Sequence, residues 1–275
     1  MKKIILSLVI ALTTVSLYAQ IDRSTMPEAG PAPTINLEEP IRFELKNGLT
    51  VMVVENHKLP RVSIQLSIDN PPSLEGEKAG VSSLAAGLLG NGSTNISKDA
   101  FNEEVDFLGA SLNFGASSAF ASSLSKYFPR ILELMADAAI NPNFTEEEFQ
   151  KEKEKLLTGL KSQEKDVSAM AGRVQSAIAY GKEHPYGEFA TEETVNKVSL
   201  EDAKKFYQTY FNPNNAYLVI IGDVDTKAVK KLVKKHFNSW EKGAQVLTNW
   251  KNPVTASQAT INFIDMPNAV QSEVS

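Results

Sequence analysis

The feature that most constrains the fold is the pair Asn47-Gly48, which separates two runs of strand-forming residues, Arg42–Leu45 and Thr50–Val54. The pair predicts a β-hairpin closed by a two-residue type I′ turn, because Asn and Gly supply the positive φ angles that this turn requires. Val62–Ile68 then alternates apolar and polar residues, which predicts a third strand. The fold therefore begins with paired strands.

Helix and strand signals follow one another along the rest of the chain. A small apolar run at Ala79–Leu89 predicts a helix that is buried on most of its surface. Capping residues and amphipathic spacing predict further helices at 97–108, 129–140, 145–165, 168–180, 199–210 and 226–237. Further strands are predicted at 111–114, 119–124 and 216–221. This order predicts an α+β fold, with a mixed or antiparallel sheet and helices packed on one face.

The first forty residues carry the pattern of an exported protein. Lys2 and Lys3 precede a short apolar run, Ile4–Leu12, and this order predicts a secretory signal peptide over residues 1–19. Residues 20–40 contain several prolines and are predicted to form an extended lead-in. Export through the signal peptide predicts a periplasmic or extracellular location.

The C-terminal end also differs from the middle of the chain. The main domain is predicted over residues 41–243, followed by a polar linker at 244–258. Ala259–Ile264 and Val270–Ser275 are predicted to be the first strands of a truncated second domain, residues 259–275. The partner strands of that domain would lie beyond Ser275, so we expect the region after Gly243 to be frayed.

Composition excludes several classes of function. The net charge is −5 and there is no basic run, so the sequence predicts no nucleic-acid partner. The chain contains no cysteine, which excludes disulfides and thiol chemistry. No segment is apolar enough over the ~20 residues that a transmembrane helix needs.

Six short motifs resemble the pitrilysin/insulinase family of zinc peptidases, whose signature is an inverted H-x-x-E-H. They occur in the family's order and are Phe43–Val51, Ala79–Val81, Gly92–Thr94, His184–Gly187, Tyr210–Ala216 and Val219–Val224. The resemblance implies a half-shell domain, with a peptidase-like part at 41–190 and the start of the family's C-terminal-type region at 191–243. In this family two half-shells enclose a peptide, either on one polypeptide or on paired subunits.

The sequence departs from the family where the metal is bound. Active members carry two histidines on one helix face, a glutamate general base between them and a third ligand, also a glutamate, on a later helix. The resemblance places Ser83, Ala86 and Gly87 at the first histidine, the base and the second histidine, and Gly159 at the third ligand. Glu152 matches an upstream family glutamate. The resemblance therefore implies no catalytic residue and no metal ligand in this chain, with zinc expected only in an active partner.

No other site in the sequence replaces the lost one. His57, His184 and His236 are far apart in sequence and lack the spacing of helical zinc ligands. His184 belongs to the His-Pro-Tyr-Gly loop, where we predict a structural role, and His236 suits the dipole at a helix end. There is no G-x-S-x-G, G-x-G-x-x-G or P-loop motif.

Three functions remain open from the sequence. The first is a non-catalytic partner that forms a heterodimer with an active zinc peptidase and helps to hold extended peptides. The second is a structural or assembly subunit without peptide handling. The third is an active zinc endopeptidase whose register has been misread, which would need ligands that the sequence does not contain.

Peptide holding is predicted to use an exposed sheet edge, because an extended peptide can add to it as a further strand. The strand Ala119–Leu124 and the turn before it are predicted to form this edge. Ser117, Ala119 and Ala121 are accordingly the predicted substrate-binding residues. An ordinary hairpin turn remains the alternative interpretation of this segment.

Overall fold

A computed structural model describes residues 26, 30, 39–248, 250–253, 260–267 and 269–274 of the chain. The chain divides between Glu38 and Glu39, and every described helix and strand lies in the part from Glu39 to Ser275. The predicted signal peptide, residues 1–19, lies outside the described residues, as does most of the predicted lead-in at 20–40.

The described elements follow the order predicted from the sequence, with an additional short helix at Glu192–Lys197 that was not predicted. The strands are β1 (Ile41–Glu44), β2 (Thr50–Glu55), β3 (Arg61–Ile68), β4 (Ser111–Gly115), β5 (Ser118–Leu124) and β6 (Ala216–Gly222). The α-helices are α1 (Val81–Leu88), α2 (Lys98–Phe107), α3 (Phe128–Ile140), α4 (Glu146–Gln163), α5 (Val167–Tyr180), α6 (Glu192–Lys197), α7 (Leu200–Tyr210) and α8 (Thr226–Phe237). No described helix has both the length and the apolar character needed to cross a membrane.

The first hairpin is confirmed, but its turn differs from the predicted one. The Gly48 N–H donates to the Leu45 carbonyl at 3.0 Å, so Lys46 and Asn47 occupy the centre of the turn and Gly48 follows with a φ of 95°. The buried Asn47 amide donates to the carbonyl of Phe237 at 2.8 Å. A contact across 190 residues therefore fixes the turn one residue earlier than the local pattern indicates.

The strands form one mixed sheet in the order β1-β2-β6-β3-β5-β4. β6 lies between β2 and β3, parallel to β2 and antiparallel to β3. β5 pairs with β3 on one side and with β4 on the other, so the two edge strands are β1 and β4. The prediction that the strand Ala119–Leu124 forms a sheet edge is wrong, because the hairpin partner β4 covers that side.

Helices cover one face of this sheet, as predicted. Alternate side chains of the central strands are buried on that face, and they include Val51, Val53, Val62, Ile64, Leu66, Ala119, Ala121, Leu218 and Ile220. They pack in one apolar core with residues of α3 and α8. A second core surrounds α1 and is built from α1, α4, α6 and α7. The alternate residues on the other face, such as Gln65, Val219 and Ile221, remain half-buried or exposed.

The strands predicted near the C-terminus are not formed in the described residues. Residues 260–267 and 269–274 contain neither helix nor strand, and Ile261 and Phe263 are more than nine-tenths exposed. A strand needs backbone partners, and no described strand supplies them. In the predicted linker, Trp250 contacts the main domain, because its Nε1–H donates to the Pro72 carbonyl at 2.8 Å.

Candidate functional site

A glycine fixes the start of helix α1, the helix with the degenerate motif. Gly80 has a φ of 107°, and its carbonyl accepts the N–H of Leu84 at 3.0 Å. A Cβ at this position would lie 2.8 Å from Cγ2 of Val195, so α6 approaches the backbone of Gly80 closely. The Glu75 carboxylate accepts the Gly80 N–H at 2.7 Å and further orients this helix start.

The three motif positions on α1 share its open side. Val81, Leu84, Ala85 and Leu88 are buried in the second core. Ser83 is exposed, and Ala86 and Gly87 are half-buried. Their i, i+3 and i+4 spacing places them together on one face of the helix.

Glu152 of α4 lies directly against the last motif position. A Cβ on Gly87 would lie 2.7 Å from Glu152 Oε2. Lys155 Nζ is 3.4 Å from the same carboxylate oxygen. Gly159 follows Glu152 by seven residues and so faces the same side of α4. Nothing lies within 4 Å of the position that its Cβ would take, so the space beside Gly159 is open.

These residues do not fit the zinc ion that the family resemblance implies. Zinc in proteins is held by His, Cys, Asp or Glu, whereas the motif positions supply a hydroxyl, a methyl group and bare backbone. The neighbouring Glu152 carboxylate is paired with Lys155. Within the described ranges, no three His, Cys, Asp or Glu side chains lie close enough together to hold a metal ion.

The predicted substrate-binding residues lie on an inner strand and the turn before it. Ala119 and Ala121 are buried against the helices, and β3 and β4 occupy both sides of their strand. The Ser117 carbonyl accepts the N–H of Ile68 at 2.8 Å. Strand addition at Ala119 or Ala121 would break existing pairs, whereas the two edge strands of the described sheet are β1 and β4.

Edge strand β4 lies next to the helix of the degenerate motif. A Cβ on Gly90, just after α1, would lie 2.7 Å from Cδ2 of Phe114 in β4. No described strand pairs with the outer side of β4. An extended peptide added to β4 would therefore pass beside the end of α1. Sequence reasoning missed this placement, since local patterns show that β4 and β5 pair but not which of them is outermost.

A carboxylate links the His-Pro-Tyr-Gly loop to the segment before α1. Glu188 accepts the N–H groups of Glu75 and Gly76 at 2.9 and 2.5 Å. Burial raises the pKa of Glu188 above its ordinary value. Together with the Glu75 contact to Gly80, this pair positions the start of α1. Nothing in the sequence indicated it, because the two glutamates lie 113 residues apart.

The three histidines occupy separate settings. His184 is buried, its Nδ1 accepts the Tyr186 N–H at 3.1 Å and its ring lies 4.3 Å from the Trp250 ring, which fits the predicted structural role. A hydrogen bond to Asp223 raises the pKa of His57. Burial lowers the pKa of His236.

Fold and site together define an α+β domain of the zinc-peptidase type, in which the positions that the resemblance assigns to the ligands carry no metal-binding side chain. The chain belongs to the insulinase family, peptidase family M16. Residues 50–187 match the model for Insulinase (Peptidase family M16), and residues 197–273 match the model for the Peptidase M16 inactive domain.

Curated relatives include both proteases and non-proteases. The chain is 27% identical over 71% of its length to the zinc protease PqqE of Helicobacter pylori, covering 46% of that protein. It is 24% identical over 70% of its length to the non-peptidase homolog YmxG of the same organism, covering 46%. It is 24% identical over 82% of its length to the mitochondrial-processing peptidase subunit beta of Lentinula edodes, covering 51%. This range of relatives supports a non-catalytic member of the family.

A solved structure shows the same fold. The crystal structure of a protease from Helicobacter pylori superposes with a TM-score of 0.69 and 25% identity, over 79% of this chain and 55% of the other. The chain therefore spans about half the length of the relatives it matches.

Proposed function

We propose that this chain is an exported, non-catalytic subunit that pairs with a zinc-bearing peptidase of the same family and helps to hold its peptide substrates. The observation that carries the proposal is the combination of position and residue types in helix α1. This helix keeps its place beside α4 and edge strand β4, yet presents Ser83, Ala86 and Gly87 where an active member has its ligands and base. The scaffold around a peptide remains, and the chemistry belongs to the partner.

Pairing is supported by the family resemblance, which implies a chamber closed from two halves, and by the name of one relative. One relative is by its name a subunit of a processing peptidase. Zinc is accordingly expected in the active partner, at a site to which this chain contributes no ligand.

Peptide holding is assigned to the outer side of β4. Backbone hydrogen bonds to a sheet edge bind extended peptides with little dependence on their sequence. Such binding orients the peptide before reaction, and orientation alone contributes several kcal/mol in well-aligned systems. The open sheet face and the exposed side of α1 leave room beside this edge.

Two neighbouring proline substitutions test the edge. The N–H groups of Leu112 and Asn113 point to opposite sides of β4, so one faces the open edge and the other faces β5. Leu112→Pro and Asn113→Pro should therefore differ, one lowering the melting temperature much more than the other. We expect the more stable variant to lose binding of a fluorescent extended peptide. Arg42→Pro in the opposite edge β1, whose exposed residue has its N–H on the open side of that strand, is the control, and unchanged peptide binding by the more stable β4 variant would contradict the assignment.

Reconstitution tests the partner role. We expect the protein to co-purify from the cell envelope with a chain that carries H-x-x-E-H, and peptide hydrolysis to require both chains. Hydrolysis by the partner at the same rate with and without this chain would leave an assembly role instead. Cell fractionation checks export, which predicts loss of residues 1–19 from the mature protein.

Metal analysis distinguishes the remaining alternative. The purified chain should contain no stoichiometric zinc and should not hydrolyse peptides alone. One zinc per chain together with hydrolysis would show that the chain is an active zinc endopeptidase and that the register on Ser83–Gly87 is incorrect.

A further inference from the structure

The solvent face of helix α8 is a concentrated positive surface. Its five lysines follow the spacing i, i+3, i+4, i+7 and i+8, so they share one face, and they are Lys227, Lys230, Lys231, Lys234 and Lys235. All five are exposed. We call this surface the lysine face. Apolar residues interrupt the lysines in sequence, which is why the composition showed no basic run.

The opposite side of the helix is fixed in the core. Val229, Val233 and Phe237 are fully buried beneath the sheet. The helix contains no acidic residue. The five charges are therefore displayed on a rigid support, in a chain whose net charge is −5.

The lysine face is not neutralised by the rest of the described structure. None of its five ammonium groups forms an ion pair with a described residue, although Lys230 lies 5.2 Å from the centre of the Phe43 ring. Six lysines elsewhere pair with described carboxylates, and they are Lys78, Lys98, Lys151, Lys155, Lys161 and Lys197. Other exposed lysines, such as Lys58 and Lys182, form no described ion pair but do not cluster on one helix face.

Helix stability does not account for this arrangement. Lys234 and Lys235 lie in the last turn, where a cation complements the helix dipole. Lys227 lies in the first turn, where the dipole disfavours a cation. Like charges at i, i+3 and i+4 also repel one another. The lysine face therefore costs the helix some stability, which a bound anion would offset.

We propose that the lysine face binds the anionic phospholipid headgroups of a membrane surface. Lysine is depleted at the centres of protein interfaces, which favour arginine and aromatic anchors, and the lysine face contains neither. Lysine ammonium groups bind phosphate as point charges without fixed geometry, which suits a fluid headgroup layer. Because the apolar side of α8 lies in the core, the contact is peripheral and inserts no helix. The proposal is independent of peptide handling.

Vesicle binding by the full chain tests this proposal. We expect sedimentation with vesicles of phosphatidylcholine and phosphatidylglycerol, little sedimentation with pure phosphatidylcholine, and release by added salt. Lys227→Gln/Lys231→Gln/Lys234→Gln should weaken the binding about a hundredfold, since each lysine near an anionic surface strengthens binding about fivefold. Lys58→Gln/Lys182→Gln/Lys205→Gln, which removes three exposed charges elsewhere, should bind like the wild type.

Two further measurements exclude indirect effects. The triple glutamine variant of the lysine face should melt at or above the wild-type temperature, because like-charge repulsion is removed. Lys227→Arg/Lys231→Arg/Lys234→Arg should keep the vesicle binding. Equal binding by the two glutamine triples, equal binding to neutral vesicles or no binding by the wild type would overturn the proposal. Retention on an acidic protein without vesicle binding would overturn it in favour of protein docking.

Discussion

Gly222 occupies a position at which a residue with a side chain does not fit. It ends β6 between β2 and β3, with a φ of 142°. A Cβ there would lie 2.1 Å from the Arg61 carbonyl oxygen. The glycine that ends the strand in the family motif is therefore explained by the close approach of β3.

Gly222→Ala should accordingly destabilise the protein by about 2–4 kcal/mol through strain and displaced backbone. Gly159→Ala is the matched control. Its Cβ meets open space inside helix α4, so the change should stabilise the protein by about 0.5–1 kcal/mol. Chemical denaturation measures both, and equal effects would contradict the steric argument.

His57 makes stability depend on pH. Its Nδ1 lies 2.7 Å from Asp223 Oδ1, and this hydrogen bond raises the pKa of His57 above 6.5, with Glu55 as a second carboxylate nearby. A raised folded-state pKa contributes stability that is fully present below the unfolded pKa and is lost as pH rises through the folded pKa.

His57→Gln should therefore lower the melting temperature near about pH 6 and have little effect near about pH 9. His236→Gln provides a contrast of opposite sign. Because burial lowers the pKa of His236, this histidine favours the folded state above its unfolded pKa and loses that contribution as pH falls. Parallel pH dependences of the two variants would refute this account.

At the scale of helices and strands, local signals predicted which elements form, but not how the strands are arranged. Capping residues and periodicity located β3, β5 and α8 within a few residues. The order of the sheet depends on β6, which reaches its place between β2 and β3 only through long-range packing. A strand's own sequence does not reveal whether its hairpin partner lies outside it, which is why the prediction of β5 as the edge is wrong.

The candidate site, too, is predicted from the sequence only in part. The absence of ligands at Ser83, Ala86 and Gly87 could be read from the sequence, since it concerns which residue types are present. The packing of Glu152 on Gly87 and the edge position of β4 required the fold. Glu188 illustrates the limit, because its role depends on burial and on backbone N–H groups that no sequence pattern marks.

Grafting the missing ligands tests whether α1 and α4 keep the spacing of a metal site. We expect Ser83→His/Ala86→Glu/Gly87→His/Gly159→Glu to bind one zinc per chain in calorimetry. The side chain introduced at position 87 displaces only the flexible end of Glu152, and the space at Gly159 is open. The same variant without Gly159→Glu lacks the third ligand and should bind more weakly. Equal affinity of the two variants would show that α4 is wrongly placed for a ligand.

At the scale of the whole molecule, the main core is completed by β6 and α8, the last strand and the last helix of the described domain. β6 and α8 contribute Leu218, Ile220, Val229, Val233 and Phe237 to the first core. The Asn47 amide joins the first hairpin to the carbonyls of Phe237 and Trp240 at the end of α8. The early strands are therefore held by residues near the end of the domain.

A chain that ends at Phe211 should consequently show no cooperative unfolding transition. A chain that ends at Gly243 keeps β6 and α8 and should retain one, at a lower temperature than the full chain because the Trp250 contact is lost. Thermal circular dichroism measures both. A cooperative transition in the shorter chain would mean that β2 and β3 fold without β6.

A ribosome delivers β2 and β3 long before β6, so both strands leave the exit tunnel with a gap between them. Unpaired strand edges that carry exposed apolar side chains can pair with other nascent chains. We therefore expect the growing polypeptide to expose these unpaired edges until Ala216–Gly222 has been synthesised. Slow translation upstream of that segment would prolong this exposure and increase aggregation.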